Sequence, residues 1–446
     1  MMTIQFLGAA GGVTGSSFLL TGNDAQGILI DLGMFQGLDE KTNLNYPPLL
    51  FESEKLQAVL LTHAHLDHCG RLPLLIKAGF QGKIYATEPT KMITEISLLD
   101  SAKIAQEERN KPLYSQEEVK QTCNQIETVD YDIPFKIGQW QIVFRNAGHI
   151  LGAASIEVSQ PSLGSKTIVF SGDLGDNPQD LIQPLEEIDK AEFVVMESTY
   201  GGSVHPEEDF LSVLQQEINT VEKTNGVLLI PAFSIERTQQ LLHKIDFLKG
   251  SGKVKKGLPV FLDSPMAIKV TEVFKKYPNL YNTKLLLDAD PFNFPNLFCT
   301  KTIEESKGII DYPGSKIIIA GSGMMAGGRI LHHLKNYLSL DSTRLLIVGY
   351  QAKGTLGREI EEGAKEIKAY DETINIKAKV IKIESLSSHA DQPQLLSWLK
   401  HIQAVEKVFL VHGEDEQREA LKQEIKNNLD IKEVFLPKKN EVFELD

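Results

Sequence analysis

Short apolar runs separated by glycine-rich turns fill the first 60 residues: Thr3–Leu7, Ser17–Leu20 and Ile28–Asp31. Runs of this length bounded by turn residues predict antiparallel strands at the start of a sheet. Between the first two lies Gly8-Ala9-Ala10-Gly11-Gly12-Val13-Thr14-Gly15. Its glycine spacing does not fit a dinucleotide fingerprint and a strand-like run follows it, so a hairpin loop is expected. Gln57–Thr62 is a further run with the character of a buried strand, and Cys69–Lys77 reads as a turn into a short helix. From about Thr90 to Gln125 the chain becomes charged and helical in period, a surface excursion. Strands resume at Trp140–Phe144, Ala154–Val158, Thr167–Phe170 and Phe193–Met196.

Near residue 205 the pattern changes to helix-strand alternation. Helices at Phe210–Val221, Glu236–Leu248 and Ile330–Leu338 interleave with strands at Val227–Ile230, Pro259–Leu262, Lys316–Ala320 and Arg344–Val348. That rhythm predicts a parallel-sheet domain of its own. The expected division is a first domain part over 1–204, an inserted domain over 205–375 and a C-terminal return over 376–446. The return is read as strands at Lys379–Lys382, Lys407–Val411 and Glu433–Leu436, separated by helices at Gln392–Leu399 and Glu416–Asn427.

Composition narrows the class without choosing a substrate. The 446 residues are 42% hydrophobic and 24% charged, the balance of a globular protein with room for several domains. No apolar run approaches the roughly 18 to 20 residues that cross a bilayer, and no signal peptide is evident at the N-terminus. Three cysteines (Cys69, Cys123 and Cys299) form an odd set without metal-type spacing, so a reducing cytoplasm is the expected location. The net charge of −14 argues against broad electrostatic binding to nucleic acid. Bound divalent cations would nevertheless make an active site locally positive.

One stretch carries most of the chemistry. His63-Ala64-His65-Leu66-Asp67-His68 holds three His and one Asp directly after the Gln57–Thr62 run. In an extended tail residues two apart share a direction, so His63 and His65 can grip one ion. Asp67 and His68 fall where the chain begins to coil and face elsewhere, towards a second ion. This ligand set suits zinc or a similar first-row metal better than magnesium or calcium. A solvated turn is the plainer reading, but only 11 His occur in the whole chain. Further ligands follow strand ends: His149 in Ala147-Gly148-His149, Asp173 in Ser171-Gly172-Asp173 and His412 in Val411-His412-Gly413-Glu414. Counting then assigns His63, His65 and His149 to one metal, and Asp67, His68 and His412 to the other. Asp173 bridges them at a separation of roughly 3.5–4 Å, with a hydroxide available near neutral pH.

With these residues the chain resembles the metallo-β-lactamase superfamily, in which an aspartate at the preceding strand end supports the ligands; Asp31 in Ile30-Asp31-Leu32-Gly33 matches it. The last His is far downstream of Asp173, which implies an inserted domain and resembles the β-CASP branch of nucleases. Glu197 in Met196-Glu197-Ser198-Thr199-Tyr200-Gly201, His389 in Ser387-Ser388-His389-Ala390-Asp391, and His412 match that branch's three additional motifs. Pro231-Ala232-Phe233-Ser234, Asp263-Ser264-Pro265-Met266-Ala267 and Ser322-Gly323-Met324-Met325 look like its inserted segments. The resemblance implies an α/β fold, a metallo-β-lactamase αββα sandwich with an inserted β-CASP domain whose parallel sheet is flanked by helices. Histidine at 412 is similar to the RNA-processing members, the bacterial and archaeal relatives of the mRNA 3′-end cleavage endonuclease. DNA-repair members carry an apolar residue there. No further domain is expected beyond the strand at Glu433–Leu436. Departures are Gly202-Ser203 where Asp-Arg is usual, Asp176 where Arg is usual, and Glu236 where Gly is usual.

The implied activity is a zinc-dependent ribonuclease, exo- or endonucleolytic, with two zinc ions and manganese as an alternative. A metal-bridging hydroxide attacks the RNA phosphodiester, His389 is the general acid, and Glu197 holds its other ring nitrogen. Asp31 and Asp67 complete the catalytic set. Gly321–Arg329 precedes a helix, so Ser322, Gly323, Met324 and Arg329 are the expected phosphate seat. Single-stranded RNA is the expected partner, with no membrane and with a homodimer as a candidate assembly. A thioester or lactam hydrolase and an inactive scaffold subunit are the competing readings. The large insert and His389 weigh against the former, and the complete ligand set against the latter.

Overall fold

Trp140–Asn146 alternates buried and half-buried positions, and Met2–Gly8 begins in the same way. Each strand therefore puts one face into a core and leaves the other partly exposed. The computed structural model describes residues 2–22, 26–37, 42–107, 112–160, 166–176, 181–287, 290–352, 354–370, 372–383 and 385–445. The chain forms two units: Met1–Val204 with Ser388–Asp446, and His205–Ser387.

In the first unit, one sheet has the order Val442–Leu445, Met2–Gly8, Ser17–Thr21, Gly27–Ile30, Leu56–Leu60, Lys83–Ala86, Ile126–Thr128. The other runs Glu433–Phe435, Lys407–Val411, Phe193–Glu197, Thr167–Phe170, Ala154–Ser159, Trp140–Asn146, Phe135–Ile137. Their inner faces share one core, in which Ile4, Leu20, Ile28 and Ala58 meet Trp140, Phe144, Ile156, Ile168 and Phe409. Helices Glu88–Glu107 and Gln116–Gln125 cover the outer face of the first sheet, with Leu98 and Val119 packed on Leu29, Val59 and Ile84. The second helix starts where the Ser115 side chain and Glu118 form a capping box. Helices Gln392–His401 and Asp415–Asn428 cover the second sheet through Leu395, Leu421 and Ile425. The layers are helix, sheet, sheet, helix, the αββα sandwich expected from the sequence.

The first three strands pair antiparallel as expected, and pairing turns parallel from Gly27–Ile30 to Leu56–Leu60. Residues 108–111 of the expected helical excursion lie outside the described residues. Among those described, no helix is long and apolar enough to cross a membrane.

The second unit holds a sheet in the order Leu297–Cys299, Val260–Asp263, Lys316–Ala320, Val227–Pro231, Thr343–Ile347, Lys379–Lys382. Every neighbouring pair in it is parallel, as the helix-strand alternation predicts. The sequence pattern places Lys379–Lys382 in the C-terminal return, yet this strand hydrogen-bonds to Thr343–Ile347 in the inserted sheet. The second unit therefore runs to Ser387 and not to residue 375. A four-residue apolar run identifies a strand but carries no signal for which sheet edge it completes.

Candidate metal centre

Five strand ends in the first unit deliver the ligand side chains and Asp31; His63–His68 follow Leu56–Leu60, and at the other four the backbone turns left-handed. Asp31 (φ +57°) follows Gly27–Ile30, and His412 (φ +48°) follows Lys407–Val411. Gly148 (φ +64°) and Gly172 (φ +58°) precede His149 and Asp173 after their strands. Left-handed backbone costs a non-glycine residue of order 1–3 kcal/mol, so Asp31 and His412 hold it only because their surroundings impose it. The outcome is a buried cluster: His63 and His149 are fully enclosed, with Asp173, His68 and His412 nearly so.

The first group is His63, His65, His149 and Asp173, whose ligand atoms all lie within 4.8 Å of one another. His65 Nδ1 is 3.1 Å from both His63 Nε2 and His149 Nε2. Asp173 Oδ2 is 3.4 Å from His63 Nε2 and 3.6 Å from His149 Nε2. An ion at about 2.0–2.1 Å from each nitrogen has tetrahedral edges of roughly 3.3–3.4 Å, so these spacings fit one metal. The tautomers fit as well. His149 Nδ1 is 2.8 Å from the Ser388 carbonyl, which can only accept, so Nε2 keeps its lone pair.

Asp67, His68 and His412 form the second group. Asp67 Oδ2 is 3.3 Å from His412 Nε2, and His68 Nε2 is 3.2 Å from Asp173 Oδ1. Asp173 thus presents one oxygen to each group. Asp31 supports from behind: its Oδ2 accepts from His68 Nδ1 at 2.7 Å and from Thr62 Oγ1 at 2.8 Å, while Oδ1 accepts from Thr62 N. With its proton committed to Asp31, the Thr62 hydroxyl accepts from His63 Nδ1 at 3.1 Å, which leaves His63 Nε2 for the centre.

Charge follows the same arrangement. Burial and the neighbouring His68 hold His63 down to about 3, and burial lowers His65 to about 4. Burial, with His389 beside it, also holds His149 well below the usual imidazole range. These three rings are neutral at pH 7, the form that donates to a metal. Burial alone would lower His68, but Asp173 and Asp31 outweigh it and raise its pKa. Burial would raise Asp173, yet the His412 and His68 imidazoles keep it ionised.

His389 stands beside the cluster, its ring 4.5 Å from that of His149 between centroids. Its Nδ1 lies 3.0 Å and 3.2 Å from the two oxygens of Glu197, which is itself fixed by Leu174 N at 2.7 Å. Burial opposes protonation, but Glu197 prevails and raises His389 to about 9. Cys69 is a buried core residue whose thiol faces the Ala64 carbonyl.

The structure therefore gathers Asp31, His63, His65, Asp67, His68, His149, Asp173, Glu197, His389 and His412 in one unit. Ser322, Gly323, Met324 and Arg329 share a loop of the other unit. There Ser322 Oγ accepts from Ala326 N, and the Gly323 carbonyl accepts from Gln351 Nε2. The Arg329 guanidinium pairs with Asp263 and donates to the Thr300 and Lys301 carbonyls. Sequence reasoning missed the Ser388 carbonyl and Thr199, whose Oγ1 lies 3.0 Å from His412 Nδ1. Their only signal was adjacency to His389 and Glu197. Glu236, where the family has Gly, has φ +66°, backbone that glycine adopts without steric cost.

Family comparisons agree with this geometry. Residues 10–184 match the family model of the metallo-beta-lactamase superfamily, 238–360 the Beta-Casp domain, and 373–437 the Zn-dependent metallo-hydrolase RNA specificity domain. The chain is 37% identical to ribonuclease TTHA0252 of Thermus thermophilus, over 94% of this chain and 95% of that one. The chain belongs to the β-CASP branch of the metallo-β-lactamase superfamily. Among other members of the branch, an RNase J-like protein of Methanocaldococcus jannaschii is 34% identical over 87% of each chain. Transcription termination factor FttA of Methanosarcina mazei is 33% identical over 92% of this chain and 67% of its own. The crystal structure of a protein of unknown function from Enterococcus faecalis V583 shares the fold across all of both chains, with a TM-score of 0.55 at 14% identity. Membership makes the chain a metal-dependent RNA hydrolase, and the His/Asp cluster is its candidate metal site.

Proposed function

We propose that the chain is a two-zinc ribonuclease that hydrolyses RNA phosphodiester bonds. The observation that carries the reading is the two ligand groups, with one Asp173 oxygen near His63 and the other near His68, and the Glu197-held His389 beside them. His63, His65 and His149 would hold one ion and Asp67, His68 and His412 the other. Bound there, the ions would supply activation of a water nucleophile and neutralisation of phosphate charge.

The protein's own groups perform the remaining tasks. Asp31, Thr62 and the Ser388 carbonyl hold the ligand rings so that a lone pair from each faces inward. His389 keeps its Nδ1 on Glu197, which leaves Nε2 as the atom to protonate the departing oxygen. The Gly321–Arg329 loop is the proposed phosphate seat. There Arg329 would act by shaping the loop through Asp263, while backbone and the Ser322 hydroxyl meet the phosphate.

The test is cleavage of end-labelled single-stranded RNA, single-stranded DNA and a thioester by protein loaded with zinc or manganese. RNA cleavage is expected, and product lengths separate exonucleolytic from endonucleolytic action. His389→Ala should lower the rate by roughly 10²–10⁴-fold with metal content unchanged. No RNA cleavage under either metal overturns the reading, and thioester turnover alone replaces it.

A further inference from the structure

The imidazole of His412 has two nitrogens, and only a bare Nε2 can serve the second ligand group. We propose that Thr199 is the positioning residue that fixes this tautomer and the ring's orientation. The Thr199 hydroxyl stands 3.1 Å from the His412 carbonyl oxygen and 3.0 Å from His412 Nδ1. It owns one proton, and the carbonyl can only accept, so that proton goes to the carbonyl. The hydroxyl oxygen then accepts from Nδ1–H, and Nε2 is left with a lone pair, 3.3 Å from Asp67 Oδ2. The reverse arrangement, a hydroxyl donating to Nδ1, would break the carbonyl bond and protonate Nε2.

The same hydroxyl also steadies a strained backbone. His412 turns left-handed at φ +48° directly after a strand of five residues. Its amide donates to the Ala9 carbonyl at 2.8 Å, and its own carbonyl accepts from Ser198 N at 3.3 Å and from Thr199 Oγ1. Thr199 thus grips both the peptide and the ring of one residue. Its amide additionally reaches Glu197 Oε2 at 3.3 Å, which ties it to the carboxylate that holds His389. Asp31 plays the corresponding part for His68 and the Ser388 carbonyl for His149.

This inference rests on the metal-centre reading above. Its test is zinc stoichiometry and affinity of the full chain, by chelator competition, for the parent, Thr199→Val and Thr199→Ser. The parent should bind two equivalents. Valine keeps the side chain's shape without its hydroxyl, and should weaken one equivalent by roughly 10–100-fold while sparing the other. Serine should restore affinity to within about threefold of the parent. If valine loses its fold in chelator, Thr199→Ala takes its place in the same titration. Parent-like affinity at both sites in the hydroxyl-free variant overturns the role, as does a serine variant as weak as valine. A parent that binds no zinc would instead refute the metal-centre reading itself.

Discussion

Asp173 and Asp263 are both aspartates at the end of a buried strand, one in each unit, and both are almost completely enclosed. Their surroundings differ in kind. Asp263 accepts four hydrogen bonds from fixed donors: Thr300 Oγ1 and Arg329 Nη1 on one oxygen, Ser306 Oγ and His333 Nε2 on the other. Asp173 faces ring nitrogens of His63, His68, His149 and His412 at 3.2–3.7 Å. Two of those rings already commit Nδ1–H elsewhere, to Thr62 and Ser388, so their Nε2 atoms bring lone pairs and not protons. A carboxylate satisfied by donors stabilises the fold, whereas one that meets the lone pairs of two rings calls for a cation.

Asn at each position tests that distinction, and the larger effect falls on Asp173. Asp173→Asn should remove the shared ligand, lowering RNA cleavage by about 10³-fold or more and weakening both metal equivalents. In chelator its melting temperature should fall less than that of Asp263→Asn, because the one charged donor that loses part of its counter-charge is His68, which keeps Asp31. A large loss of metal-free stability with intact zinc binding would reverse the assignment. Asp263→Asn should do the opposite. It leaves Arg329 without its counter-charge and places an amide N–H against existing donors, which costs about 3 kcal/mol. Denaturant unfolding followed by hydrogen exchange in Val260–Asp263 would register the loss in the second unit, with zinc stoichiometry still parental. Loss of zinc in that variant would show that the Asp263 network is not local.

The contrast also marks what the sequence could disclose. His63–His68 was legible because three His in six residues is a local signal, and His149, Asp173 and His412 because each follows an apolar run. Strand and helix periods gave the individual strands and the parallel insert, since side-chain alternation is set by neighbours along the chain, while the sandwich came from the family resemblance. Partners distant along the chain were not legible. Nothing near Arg329 says that its guanidinium closes on Asp263, and a lone Thr199 carries no mark of a hydroxyl that reads His412. Lys379–Lys382 was visible as a strand, but its place in the inserted sheet depends on pairing with Thr343–Ile347. Helices Pro265–Phe274 and Ile303–Asp311 were not expected, although Ser264 caps the first and Thr302 and Glu305 form a capping box at the second.

The smallest effect concerns pH, and it separates Asp263's charge from its shape. Burial would raise the Asp263 carboxyl, but hydrogen bonds from His333, Ser306, Thr300 and Arg329 hold it at about 2, below its ordinary 3.8. The folded carboxylate therefore resists protonation while the unfolded one accepts it, and stability rises with pH wherever the unfolded state binds more protons. The contribution is complete above about pH 4 and is lost as pH falls through about 2, a difference of about 2 kcal/mol. Other carboxylates titrate in the same window, so the quantity to follow is the gap between parent and Asp263→Asn. Urea unfolding of the two proteins should show that gap widest at pH 5 and narrowing steadily towards pH 2. Parallel curves over that range would mean that Asp263 contributes through its hydrogen-bonded shape alone, and that its charge does not distinguish it from the asparagine that replaces it.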